Sequence, residues 1–212
     1  QLSSVGAYGP PMPKANVERE VTETSPEHPV GEYELTKTEA DRLVKKAASS
    51  RALTFSILRP SNVFGVGMPN QSLRAMIRMV GKGLFFFIGQ RGAISTYVNV
   101  EDVMEALLQC GFNPSAQGKI YNISNDCQLE ELVHGIAVAL GKGAPRLRFP
   151  ESLVRIVSRG IEGKMGWPLS QARIDALVCR TSYPATKIKQ ELDFMFVRSV
   201  PESIVDLVHE KA

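Results

Sequence analysis

No stretch of this 212-residue sequence reaches the about 18 consecutive apolar residues of a membrane-spanning helix. The longest conspicuous apolar run is Leu84-Phe85-Phe86-Phe87-Ile88. No charged-then-apolar leader opens the chain, and Gln1 rather than Met stands first, so Gln1 is not expected to be a native start. Cysteine is scarce. Cys110, Cys127 and Cys179 are far apart and odd in number, which excludes a disulfide framework and gives no zinc spacing. Reduced thiols in a cytoplasmic protein are the expectation. Histidine is scarcer in effect: His28, His134 and His209 form no pair at metal spacing, so no metal is expected. Charge of one sign is also missing. Lys and Arg number 25 against 22 Asp and Glu, a net charge of +3, too little to argue for nucleic acid. Arg146, Arg148, Arg155 and Arg159 make a mildly basic stretch that reads as a solvated face.

What remains is an ordinary globular composition, 43% hydrophobic and 22% charged. The length suits one domain or a large and a small lobe around a sizeable core. Residues 1–4 read as a strand end that breaks at Gly6. Gly9 to Gly31 has no period and reads as a loop. Tyr33 to Ser49 has helical spacing, with Leu35, Ala40, Leu43 and Val44 on one side. Leu53 to Leu58 reads as a strand ended by Pro60, and Asn62 to Asn70 as a loop. Ser72 to Val80 is a helix, Tyr97 to Val100 a strand, Glu101 to Gly111 a helix and Ile120 to Ile123 a strand. Helices follow at Leu129–Leu140, Ser152–Ile161, Gln171–Val178 and Pro201–His209. Strands alternating with helices predict an α/β sheet with crossovers, and the tail beyond residue 125 is mostly helical.

Tyr33 and Lys37 lie four apart on one helix face. The spacing alone says little, since any helix can contain it. Two flanking segments give it meaning. Ser3-Ser4-Val5-Gly6-Ala7-Tyr8-Gly9 is a strand end running into a tight loop, and Leu58-Arg59-Pro60-Ser61-Asn62-Val63-Phe64-Gly65 is another. Open α/β sheets bind ligands outside the carboxyl ends of their strands. The two loops therefore bracket the Tyr33/Lys37 helix in one crevice.

The order Ser-Ser-x-x-x-Tyr-Gly, Tyr-x-x-x-Lys, Leu-Arg-Pro-x-Asn-Val-Phe-Gly resembles the extended short-chain dehydrogenase/reductase family, in its NAD-dependent epimerase/dehydratase branch. Tyr97-Val98-Asn99-Val100-Glu101-Asp102-Val103, Ile120-Tyr121-Asn122-Ile123 and Lys187 to Phe194 extend the resemblance over essentially the whole chain, with Asp193 where the family usually has Gly. It implies an α/β fold: the C-terminal portion of a Rossmann-like parallel sheet plus a small, mostly helical substrate-binding lobe. Residues 1–125 would be the remaining part of the NAD(P)-binding domain with the catalytic motifs, and 126–212 mainly the lobe, with segments interleaving. It implies NAD or NADP as cofactor, a nucleotide-sugar substrate and a homodimer, with no nucleic acid or membrane partner.

Carried over by position, the resemblance makes Ser4, Tyr33 and Lys37 the catalytic residues. An unperturbed tyrosine ionises near pH 10, so acting as a base at neutral pH requires about 4 kcal/mol of extra stabilisation of its phenolate. A lysine ammonium one turn away and the positive ring of oxidised cofactor can supply it. Tyr33 would take a substrate hydroxyl proton while Ser4 hydrogen-bonds the reacting oxygen. Tyr33, Lys37, Pro60 and Ser61 would hold the cofactor. Ser4, Tyr8, Asn62 and Arg91 would contact the substrate. For Asn62, capping of its own turn is an equal rival.

Three departures matter. Family dehydratases carry Asp-Glu where this chain has Val5-Gly6, which argues against a 4,6-dehydratase. The family's phosphate-gripping Arg has Ser95 in its place, and Arg91 lies four residues earlier. The Gly-rich strand-turn-helix that binds the pyrophosphate does not precede Ser4, so the chain is expected to be a truncated form, doubtful as a cofactor binder. The readings are an epimerase acting by transient oxidation at a sugar carbon, C4; an NAD(P)-dependent reductase or dehydrogenase of a keto-sugar or other carbonyl; or a non-catalytic fragment that binds a partner or ligand.

Overall fold

The computed structural model describes residues 1–10, 17–51, 53–68, 71–161 and 169–210. After a 3-10 turn at Val5–Tyr8 come β1 (Arg19–Glu20), α1 (Glu32–Arg51), β2 (Ser56–Pro60) and β3 (Asn62–Phe64). Then follow α2 (Gln71–Gly81), β4 (Phe87–Ile88), β5 (Ile94–Ser95), β6 (Tyr97–Asn99) and α3 (Val100–Phe112). The second half holds β7 (Lys119–Ile123), β8 (Cys127–Gln128), α4 (Leu129–Ala139) and β9 (Arg148–Phe149). It closes with α5 (Glu151–Ile161), α6 (Gln171–Val178), β10 (Thr181–Ser182), α7 (Thr186–Leu192) and α8 (Val200–His209).

Parallel pairing dominates, as crossover helices between strands require. β2 pairs with β7 in register Leu58↔Tyr121, and Leu2 bridges to Leu58 on the other side of β2. β3 pairs with β6, β4 with β9 and β1 with β10, all parallel; β5 and β8 are antiparallel. The two elements expected as plain loops each contain a strand, β1 and β3. Both are too short to show alternation, and each exists only through its partner strand.

Two principal cores result. One lies under the β2–β7 sheet, where Leu58, Val98, Ala106, Tyr121 and Ile123 meet Ile188 and Phe194. The other gathers Phe64, Leu73, Phe85 and Tyr97 against α4 and α8, through Leu132, Ile136 and Ile204. Each core draws residues from both sides of residue 125. At the α4–α8 crossing a Cβ on Gly135 would fall 2.8 Å from the Pro201 carbonyl oxygen, so glycine permits that approach. Among the described residues no helix is long and apolar enough to cross a membrane, no His/Cys/Asp/Glu group could hold a metal, and the cysteines are free.

Helix α1 departs from its expected face. Leu35 and Leu43 are exposed, Leu43 at 58%, while Thr38 and Asp41 are buried. The reason is Arg59. Its guanidinium is taken out of water on β2, and α1 must turn a carboxylate toward it rather than a leucine.

Candidate active site

The strand end at residues 1–3 is fixed by backbone bonds: Ser3 N–H donates to the Leu58 carbonyl at 2.8 Å and Leu58 N–H to that of Gln1 at 3.0 Å. Successive side chains there point in opposite directions. Ser3 turns inward and donates its hydroxyl to Asp41 Oδ2 at 2.8 Å. Ser4 turns outward, caps the following 3-10 turn by accepting from Gly6 N–H at 3.1 Å, and lines a cleft of about 1210 Å³. Tyr33, in the first turn of α1, lines the same cleft and is 58% exposed. Lys37 follows one turn later with Nζ 5.8 Å from the Tyr33 ring centroid. It donates to the Leu2 carbonyl at 3.1 Å, which ties α1 to the strand that carries Ser4.

Ser61 and Asn62 form the opposite lip. Pro60 ends β2, buried and paired with Ile123, and Ser61 N–H donates to the Ile123 carbonyl at 3.0 Å. Ser61 Oγ meets Ser124 Oγ at 2.7 Å, and Ser124 in turn bonds Asp126 Oδ1. Burial pushes the Asp126 carboxyl up; bonds from Ser124 and from Tyr183 N–H partly offset this. The Asn62 amide donates to the Thr96 carbonyl at 3.0 Å while its residue lines the cleft, so the turn-holding use of this side chain is present in the structure.

Two expected substrate contacts are not brought into the cleft. Tyr8 is buried, 1% exposed, with its hydroxyl donating to Asn122 Oδ1 at 2.9 Å and Arg59 over its ring at 4.9 Å. Burial raises its phenol above the usual range, with Arg59 pulling the other way. A phenol closed in on both faces has no surface to offer a ligand. Arg91 lines a separate hollow of about 500 Å³, beside Arg146, Arg148 and His134. Its carbonyl accepts a hydrogen bond from Arg180. Within the basic stretch Arg146 and Arg159 are exposed, as expected, while Arg148 pairs with Glu130 at 2.6 Å and Arg155 with Glu151 and Asp175 at 2.7 Å each.

The cleft also takes residues that no sequence motif marks. Met76, Met79, Leu84, Phe85, Phe86 and Leu177 give it an apolar wall, and Glu34, Arg78, Lys82 and Arg173 bring charge. Helical spacing on α2 and α6 was the available signal, but nothing in the sequence set those faces opposite Tyr33. The spacing Gly-x-x-Gly-x-x-Gly does occur once, at Gly160, Gly163 and Gly166. It begins inside the last turn of α5 rather than after a strand, unlike a dinucleotide fingerprint, and 162–168 lie outside the described residues.

Residues 1–124 match the NAD dependent epimerase/dehydratase family. A UDP-glucose 4-epimerase of Vibrio cholerae is 27% identical over 127 residues, 58% of this chain and 38% of that protein. The 3beta-hydroxysteroid-dehydrogenase/decarboxylase isoform 2 of Arabidopsis thaliana is 28% identical over 193 residues, 81% of this chain and 34% of that protein. The chain thus spans between a third and two-fifths of the length of these relatives. In fold it is similar to a UDP-glucose 4-epimerase of Thermotoga maritima solved with UDP-glucose, at TM-score 0.65 and 20% identity, covering 99% of this chain and 61% of that one. With more than half of its length matched, the chain belongs to the NAD-dependent epimerase/dehydratase family.

Proposed function

We propose that this chain carries the reacting end of an NAD(P)-dependent nucleotide-sugar epimerase that oxidises a sugar carbon transiently, at C4. The observation that carries this is the convergence of Ser4 and Tyr33 on one cleft, with Lys37 strapped between the Tyr33 ring and the Leu2 carbonyl. The nicotinamide cofactor, when bound, supplies the hydride acceptor. The residues present fit that end of it. Lys37 spends one ammonium hydrogen on Leu2 and keeps two for ribose hydroxyls. Ser61, steadied by Ser124, borders the space between. Tyr33 takes the proton of the substrate hydroxyl and later returns it, and Ser4 orients the same oxygen. Segments 1–125 and 126–212 supply catalytic and substrate-binding walls respectively, with interleaving.

A second reading is a dehydrogenase of a less polar secondary alcohol. The Arabidopsis relative favours it by aligning over 81% of the chain, and so does the apolar wall of the cleft. Parallel assays with stoichiometric NAD, one on UDP-glucose and one on an apolar secondary alcohol, separate the two: an epimerase gives inverted sugar with no net absorbance at the reduced-nicotinamide band, while a dehydrogenase leaves the sugar unchanged and gives net reduction with the apolar alcohol. Tyr33→Phe is expected to slow either by about 10²- to 10⁴-fold. Equal rates in wild type and variant would sink both, and calorimetric titration with NAD then tests the binding-only alternative.

A further inference from the structure

Glu34 follows Tyr33 in the first turn of α1 and lines the same cleft, half-buried. Its side chain lies between two glycines. A Cβ on Gly6 would fall 2.7 Å from Glu34 Cγ and 3.5 Å from Oε1, and one on Gly31 would collide with Oε2. Gly6 is the second of the two positions, Val5-Gly6, at which family dehydratases carry an acidic pair. The loop therefore brings no acid there, but α1 delivers a carboxylate against that same backbone. Among the described residues this carboxylate forms no hydrogen bond or ion pair. A carboxylate has about four acceptor sites, and Glu34 spends none of them on those residues.

Its position three residues into the helix suits a reach back to the backbone N–H of Gly31, the common structural use of such a glutamate. That bond is not among those formed. Gly6 and Gly31 instead leave room for the carboxylate to lie against their backbone, in the wall of the cleft that Tyr33 also lines.

We propose that Glu34 is a substrate-binding residue that accepts a hydrogen bond from a hydroxyl neighbouring the one Tyr33 deprotonates, which makes the cleft selective for polyhydroxylated substrates. The inference rests on the sugar reading and deepens it, because an apolar secondary alcohol has no second hydroxyl to offer.

The test uses carbodiimide labelling of the whole chain with NAD present, read by peptide mass spectrometry, beside turnover of UDP-glucose. Glu34 is expected to be labelled in the free protein and protected by UDP-glucose but not by UDP, while exposed Glu32 is labelled throughout. Glu34→Gln is expected to raise KM and lower kcat/KM by about 10- to 100-fold, the worth of one hydrogen bond to a charged group, with Glu34→Asp partly recovering it. A purely structural glutamate would instead lower the melting temperature in Glu34→Gln and leave KM unchanged, which overturns the proposal. Turnover that depends on Tyr33 with Glu34 unprotected overturns it alone. No turnover and no protection in the wild type overturns it together with the sugar reading.

Discussion

Arg59 and Asp41 form an ion pair of 2.9 Å in which the side chains are 1% and 0% exposed. Asp41 Oδ2 receives Arg59 Nε as well, at 3.2 Å, and the Ser3 hydroxyl, at 2.8 Å. One oxygen thus joins the strand end before Ser4, the strand before Ser61 and the helix of Tyr33. Burying charge is costly, and the pair is tolerable only while both members are present. Asp41→Ala is expected to destabilise the chain by about 3 kcal/mol, the lower end for a broken buried pair, because Glu27 remains on Arg59. Urea unfolding checks this. A loss under about 1 kcal/mol would mean that the cluster does not hold the three elements together.

Glu27 gives the cluster a pH dependence. Burial pushes its carboxyl up, but the Arg59 hydrogen bond and charge, helped by Lys45 and Arg42, outweigh this and hold it below the usual carboxylate range. A group lowered on folding adds stability above its unfolded value, near 4.3, and that stability is lost as pH falls through the folded value. Glu27→Gln is therefore expected to lower stability at pH 7 and to flatten the acid limb below pH 4.3. Parallel curves for wild type and variant over pH 2.5–7 would contradict it.

The motifs were legible because each is a local run that puts at least one residue on the same crevice: Ser4, Tyr33 and Ser61 needed only strand-end and one-turn arithmetic. Helix positions were legible for the same reason. The buried face of α1 was not, since hydrophobic spacing nominated Leu35 and Leu43 while a charge on a distant strand selected Asp41. Tyr8 lies close in sequence to Ser4 but is buried by Arg59, Tyr183 and Asn122, partners 51 to 175 residues away. Long-range partners of polar groups leave no period behind.

Asp193 shows a departure from the family pattern as backbone geometry. It caps α7 with φ at 53°, the left-handed region, and is the one described residue other than glycine with positive φ. Glycine adopts that conformation without the Cβ penalty, and the family usually has glycine there. Asp193→Gly is expected to raise stability by about 1 kcal/mol, read as a higher urea midpoint with an unchanged slope. A neutral or destabilising result would mean that the aspartate side chain compensates for its own strain.

The Ser61–Ser124–Asp126 chain runs from the cleft lip into the interior, and Ser124 has one hydroxyl proton for two neighbours. With Asp126 ionised, that proton goes to the carboxylate. Ser61 must then donate to Ser124, which leaves Ser61 oxygen lone pairs facing the cleft. Because burial raises Asp126, its contribution to stability falls as pH rises from the unfolded aspartate value, about 3.9, through the folded one. Ser124→Ala removes a donor that favours the ionised form and so deepens that fall. The variant is expected to lose about 1–2 kcal/mol at pH 6 and less at pH 4, measured by urea unfolding at both. Equal losses would mean that Asp126 keeps one protonation state between pH 4 and pH 6, which contradicts the coupling of Ser61 to its titration.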